Sequence, residues 1–210
     1  MEKVKSLIGI IILLFIATLS FGQGLSIGAN LGFNYDMSNS GIEGAKTLSG
    51  LGFGGGLVLD LSILPMLGAE VDVQYAMYKY NYSDEIGGVS FDSKTTINNL
   101  VVPVLFKYKM SMPTVSPYFV FGPSLIKNLS GTGEVTTGGI TTSADVPDSL
   151  LETDFGIQVG AGANLGMVPN IGISPYFRFQ YNLTANDPDT DNSETAYDFL
   201  FGVNFTYKIK

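Results

Sequence analysis

Between residues 155 and 167 every odd position is apolar (Phe155, Ile157, Val159, Ala161, Ala163, Leu165, Met167), while the even positions are Gly156, Gln158, Gly160, Gly162, Asn164 and Gly166. Strict alternation of this kind is the signature of a β-strand with two unlike faces. The second face decides what kind. It is small and neutral, whereas a strand with one face in water carries Lys, Glu and Asp there. The last segment repeats the pattern, with Tyr197, Phe199, Phe201, Val203, Phe205, Tyr207 and Ile209 set against Asp198, Leu200, Gly202, Asn204 and Thr206. An apolar face turned outward and a small polar face turned inward fit a barrel in lipid better than a soluble barrel.

Composition agrees with this inversion. Charged residues make up 14% of the chain, against roughly 25% in ordinary soluble domains, too few to clothe a water-facing surface. Period-two segments recur at 24–35, 49–61, 67–82, 95–110, 116–129, 153–168, 171–185 and 195–209, with no sustained helical periodicity after the N-terminus. The reading is all-β: an eight-stranded antiparallel up-and-down transmembrane β-barrel, monomeric and closed, with outer-membrane lipid as its partner. The links around Pro65, Pro113 and Pro169-Asn170 are short, while those at 36–48, 83–94, 130–152 and 186–194 are long and polar. Short periplasmic turns opposite longer extracellular loops are expected of such barrels. Within the long link 130–152, the Thr run and Val146 are expected to continue the strands as a hairpin. In the strand NNLVVPVLFKYKM (98–110), parity turns Leu100, Val102, Val104, Phe106 and Tyr108 to lipid and Pro103 to the lumen. A proline there leads one to expect a bulge. Tyr35, Tyr78, Tyr80, Tyr82, Tyr181 and Tyr197 at one end, and Tyr108, Tyr118, Tyr176 and Tyr207 at the other, are expected to form interfacial girdles, although β-propensity alone also places Tyr in strands.

The N-terminus reads as an export signal. Lys3 and Lys5 precede LIGIIILLFIATL, which closes on SFGQ, so residues 1–22 are expected to be a cleaved signal peptide and residues 23–210 the barrel domain. There is no Cys, which excludes a lipoprotein cut and a disulfide framework. A net charge of −8 and no Lys/Arg cluster exclude nucleic acid as a partner.

Four motifs in sequence, NNLVVPVLFKYKM (98–110), PYFVFGPSL (117–125), DFGIQVGAGANLGM (154–167) and SPYFRFQYNL (174–183), make the chain resemble the PorT-like small outer-membrane β-barrel family of Gram-negative bacteria, a porin-family barrel domain. The resemblance covers the whole region after the signal and implies an integral outer-membrane barrel with no agreed activity, one branch being associated with a secretion and gliding apparatus. The chain departs from the pattern at its end, where Tyr207-Lys208-Ile209-Lys210 replaces a closing aromatic.

Chemistry is constrained by what is missing. Without His or Cys there is no Ser/His/acid or Cys/His catalysis and no His-ligated metal. Inward parity gathers Asp60, Glu70, Asp72, Asp154 and Asp198, with Lys107 and Arg178 as cationic neighbours. This is read as an ion-paired lumen network rather than a paired-carboxylate active site, since buried charges are normally paired. GLGFGGG (50–56) and GAGANLG (160–166) imitate phosphate loops, but no helix follows either. NDPDTDNSE (186–194) has the composition but not the spacing of a calcium loop. The expectation is a non-enzymatic barrel without cofactor or metal, displaying loops or docking an unknown surface or periplasmic protein. The alternatives are a narrow passive pore, an accessory of a secretion apparatus, or an outer-membrane enzyme.

Overall fold

The computed structural model describes residues 24–39, 48–86, 89–110, 112, 114–147, 151, 153–168, 170–184 and 195–209. The expected signal peptide and the Asp-rich segment 186–194 lie outside them. The strands are β1 (Gly24–Asn39), β2 (Leu48–Ser62), β3 (Leu67–Ile86), β4 (Val89–Lys109), β5 (Val115–Thr137), β6 (Ile140–Asp145), β7 (Thr153–Val168), β8 (Ile171–Asn182) and β9 (Thr195–Lys208). All pairings are antiparallel. β1 pairs with both β2 and β9, and β4 pairs with β5, so eight strands close into a ring in the order β1-β2-β3-β4-β5-β7-β8-β9. Closure leaves no wall strand with a free edge, which a bilayer would not tolerate.

β6 stands apart from the ring. Among the described residues it pairs only with the far end of β5, Thr132–Thr137, through a two-residue turn in which Gly138 and Gly139 have φ of 57° and 84°. Two consecutive left-handed residues make the turn whose twist matches a hairpin, and glycine adopts them without strain. This is the expected hairpin in the link 130–152.

The link read as a loop at 83–94 is mostly strand. β3 runs to Ile86 and β4 starts at Val89, because Ser, Thr and Phe in 90–97 continue the alternation and cross-strand bonds such as Ser83 Oγ to Asp92 Oδ1 (2.6 Å) hold the pair together. At the opposite end the turns are tight. The amides of Ile63 and Leu64 both donate to the Leu67 carbonyl at 2.9 Å, and Asn170, φ 65°, reverses the chain between β7 and β8; Asn is among the few residues that tolerate this region.

Burial is inverted relative to a water-soluble protein. Phe33 (73% exposed), Phe106 (69%) and Leu31 (63%) look outward, while Glu70 and Asp72 (both 0%) and Arg178 (1%) look inward. Parity assigns Leu100, Val102, Val104, Phe106 and Tyr108 correctly, and Pro103 is inside. The expected bulge at Pro103 is absent. The ladder with β5 keeps one register from Pro103–Ser124 to Phe106–Phe121, and the irregularity lies at Asn98/Asn99. An extra residue at Pro103 would have turned Leu105 and Lys107 out of the lumen, so the missing N–H is absorbed as a gap in pairing instead. The girdle expectation also needs correction. Tyr78, Tyr118 and Tyr176 are buried inside the barrel, and Tyr80 and Tyr82 line its interior. Tyr35, Tyr181, Tyr108 and Tyr207 are exposed on the outer face.

Candidate functional site

The inward residues of β3 are the key to the lumen. Alternation places Glu70, Asp72, Gln74, Ala76, Tyr78 and Tyr80 on one face, rising from the short-turn end to the long-connection end. Register sets Asp60 of β2 directly opposite Glu70, two carboxylates that would repel if left alone. Lys107 of β4 lies between them, its Nζ 2.6 Å from Asp60 and 2.5 Å from Glu70. Lys109 adds a second bond to Asp60 at 2.6 Å and one to Ser62 Oγ at 3.0 Å.

Arg178 comes from β8, which stands four strands from β3 either way round the ring. Its guanidinium pairs with Glu70 and, at 2.7 Å, with Asp72. The bore is thus crossed by an ion pair from wall to opposite wall. Gln74 Nε2 donates to Asp72 at 3.0 Å and Asn204 Nδ2 to Glu70 at 3.4 Å. Three carboxylates and three cations make the cluster neutral, which matters because desolvating each ion costs several kcal/mol, on the order of the gain from pairing. The cations also rest on aromatic faces: Lys107 Nζ lies 4.0 Å from the Tyr118 ring centroid and the Arg178 guanidinium carbon 4.2 Å from that of Tyr176.

Of the residues singled out in the sequence, Asp60, Glu70, Asp72, Lys107 and Arg178 come together here. Asp154 and Asp198 do not. Both line a separate chamber of about 610 Å³ at the long-connection end. Asp154 accepts from Thr184 Oγ1 at 2.9 Å, and Asp198 accepts from Gln180 Nε2 at 2.7 Å. The chamber's floor is an apolar layer of Ala76, Tyr78, Val101 and Ile126. Below it a second layer, Leu105, Tyr118, Val120 and Tyr176, packs beside the ion cluster. Gln158 and Asn204 lie on the inward face as expected, whereas Asp36, Gln74 and Gln180 were missed by the sequence reading and Lys109 was not joined to the charged group. All have inward parity, and that signal alone could have found them.

The arrangement fills the bore with paired charges. Each carboxylate of the ion cluster is held by a cation or an amide, and among the described residues no group of three His, Cys, Asp or Glu side chains converges as a metal site would require.

Residues 20–187 match the family described as "Outer membrane protein beta-barrel domain". No curated protein matches the chain. Among solved structures the chain is similar to the outer membrane protein OprG from Pseudomonas aeruginosa (15% identity, 90% of this chain and 97% of that one, TM-score 0.48). It is also similar to Neisserial surface protein A (14%, 87% and 96%, 0.42) and to Ail, the attachment invasion locus protein of Yersinia pestis (13%, 88% and 99%, 0.39).

Proposed function

The chain belongs to the outer membrane protein beta-barrel domain family and is an integral outer-membrane protein; from that premise we propose that it is a non-enzymatic, sealed barrel that carries its long connections to the cell surface and works through them, by display or by docking a protein partner. The observation that carries this reading is the Arg178–Asp72 pair, 2.7 Å long between walls four strands apart. An ion crossing the bore would have to part that pair and the one with Glu70, exposing charges in a space with few other partners. Eight strands already leave an interior about wide enough for side chains alone. The resemblance to PorT-like barrels is consistent with a scaffold role, since it brings no agreed activity with it. The long-connection end, where β3, β4, β5 and β6 rise above the shorter β8, is then the outer surface, and the barrel is monomeric.

Planar-bilayer recording on the full chain tests the reading. The wild type should give no discrete conductance steps. Steady, reproducible steps from the wild-type protein would overturn it in favour of a narrow pore.

A further inference from the structure

The β5–β6 hairpin carries an unused row of backbone hydrogen-bonding groups. Its two-residue Gly138-Gly139 turn makes Thr137 and Ile140 the first bonded pair, and along an antiparallel ladder bonded pairs alternate with non-bonded ones. Val135–Thr142 and Gly133–Ala144 are therefore bonded, and the Val146 amide, donating to the Gly131 carbonyl at 2.8 Å, continues the series. The residues between them, Thr141, Ser143 and Asp145, turn N–H and C=O away from β5. Nothing among the described residues pairs with that side, and the whole of β6 is exposed. Such edges are ordinarily protected by Lys, Pro or a bulge. β6, ITTSAD in one unbroken register, has none of these.

We propose that this edge takes up an extended, basic segment of another protein as an added strand. The row of N–H and C=O groups fixes the partner's conformation, because an extended chain is what satisfies them in line. Charge fixes its composition. Residues 131–146 include Glu134 and Asp145 but neither Lys nor Arg. Both carboxylates share a face with Thr141 and Ser143: Glu134 lies opposite Ser143, two residues from Asp145, and the Thr136 and Thr141 hydroxyls meet on the same side at 2.8 Å. Lys94 faces Glu134 from β4, yet among the described residues no ion pair joins them, and Asp145 has Thr132 as its register partner. A Lys or Arg in the added strand would come beside these carboxylates, the favourable cross-strand pairing. The same charges oppose pairing between two copies of the chain. Copies in one membrane also stand the same way up, so their β6 edges could meet only in the less stable parallel register.

This edge docking rests on the reading of the barrel as a protein-docking scaffold and adds the partner's chemistry. The test is amide-resolved NMR of the full chain, refolded in zwitterionic micelles and titrated with the synthetic peptide KVKTKVK and, in parallel, with EVETEVE. Saturable binding of the basic peptide should slow solvent exchange at the amides of Thr141, Ser143 and Asp145. The amides of Thr142 and Ala144, already bonded to β5, should not change. Ser143→Pro, which removes an N–H that β5 does not use, should weaken binding at least about tenfold. Glu134→Gln and Asp145→Asn should each weaken it at low salt and have little effect at high salt. Should Ser143→Pro disturb the hairpin, KVKTKVK methylated on alternate backbone nitrogens reads the edge from the partner's side and should not bind. Unslowed exchange at those amides, equal binding of EVETEVE, or binding indifferent to Ser143→Pro or to the methylation would each overturn the proposal. So would protection of the same amides that needs no peptide and rises with protein concentration, which would make the partner a second copy. Planar-bilayer recording judges the sealed barrel separately: a silent barrel whose β6 ignores the peptide overturns the edge docking alone, and a conducting barrel with a protected β6 overturns the seal alone.

Discussion

Tyr118 of β5 stands directly opposite Gly162 of β7, and its ring occupies the place a Cβ at Gly162 would take. The same pairing recurs where Tyr176 lies over Gly202, Tyr78 over Gly52 and Tyr80 over Gly50. On the lumen side of Tyr118 and Tyr176 sit Lys107 and Arg178. Each cation therefore rests on a ring, and each ring rests on a bare stretch of backbone. The glycines let large side chains lie flat against a narrow wall, leaving the bore to the ion cluster.

Gly162→Ala should accordingly drive Tyr118 off its seat and cost roughly 1–3 kcal/mol, the range for overpacking. Gly133→Ala is the matched control, because its nearest new neighbour is the Ala144 carbonyl oxygen at 3.9 Å, and it should stay within about 0.5 kcal/mol of wild type. Urea unfolding in lipid vesicles compares the two. Equal effects would mean that the ring–glycine seat carries no energy.

Removing one member of the cross-lumen pair strands the others. Arg178→Met leaves Glu70 and Asp72 sharing only Lys107 and amide donors, and the expected loss is about 3–5 kcal/mol. If the variant still folds, it should also be the one that conducts in a planar bilayer. A folded Arg178→Met barrel as stable and as silent as wild type would count against the plug.

How much of this was legible in the sequence depends on which distance is asked about. Facing was legible because it needs only parity within a strand: Glu70 and Asp72, and the odd positions from Val101 to Lys107, fall inward as read. The same parity would have corrected the girdle assignment: Tyr78 and Tyr80 share it with Asp72, and Tyr118 shares it with Gly122 and Ser124. Aromatic composition outweighed it. Height in the barrel was not legible, because it is set by the stagger between strands. For this reason Asp198 and Asp154 could not be separated from Glu70, nor Lys109 joined to Asp60, until register was known.

Facing also makes an asymmetric pair of substitutions. Phe201, 53% exposed on the outer wall, lies in the lipid-facing band, so Phe201→Arg should cost roughly 2–4 kcal/mol. Asn204→Arg, three residues on and buried inside the lumen near Glu70, meets a neighbourhood of paired charges and should be limited by packing. Folding titrations in vesicles of shorter acyl chain should relieve the first and leave the second unchanged. The reverse ranking would invert the assignment of inside and outside.

The β5–β6 hairpin gives the test of orientation. All six residues of β6 are exposed, Ile140 to the extent of 75%, and among the described residues the strand pairs with Thr132–Thr137 alone. Little apolar surface is buried there, so a change at the tip should not propagate into the wall. An added Cβ at Gly138 or Gly139 would meet nothing within 4 Å, so the turn has room for inserted chain, although the insert must begin and end on residues that accept left-handed backbone. An epitope placed between Gly138 and Gly139 should leave heat-modifiable migration intact. It should be labelled on whole cells by an antibody that cannot cross the outer membrane. Labelling only after permeabilisation would put the long connections in the periplasm, turning the chamber lined by Asp36, Asp154 and Asp198 toward the inside of the cell envelope.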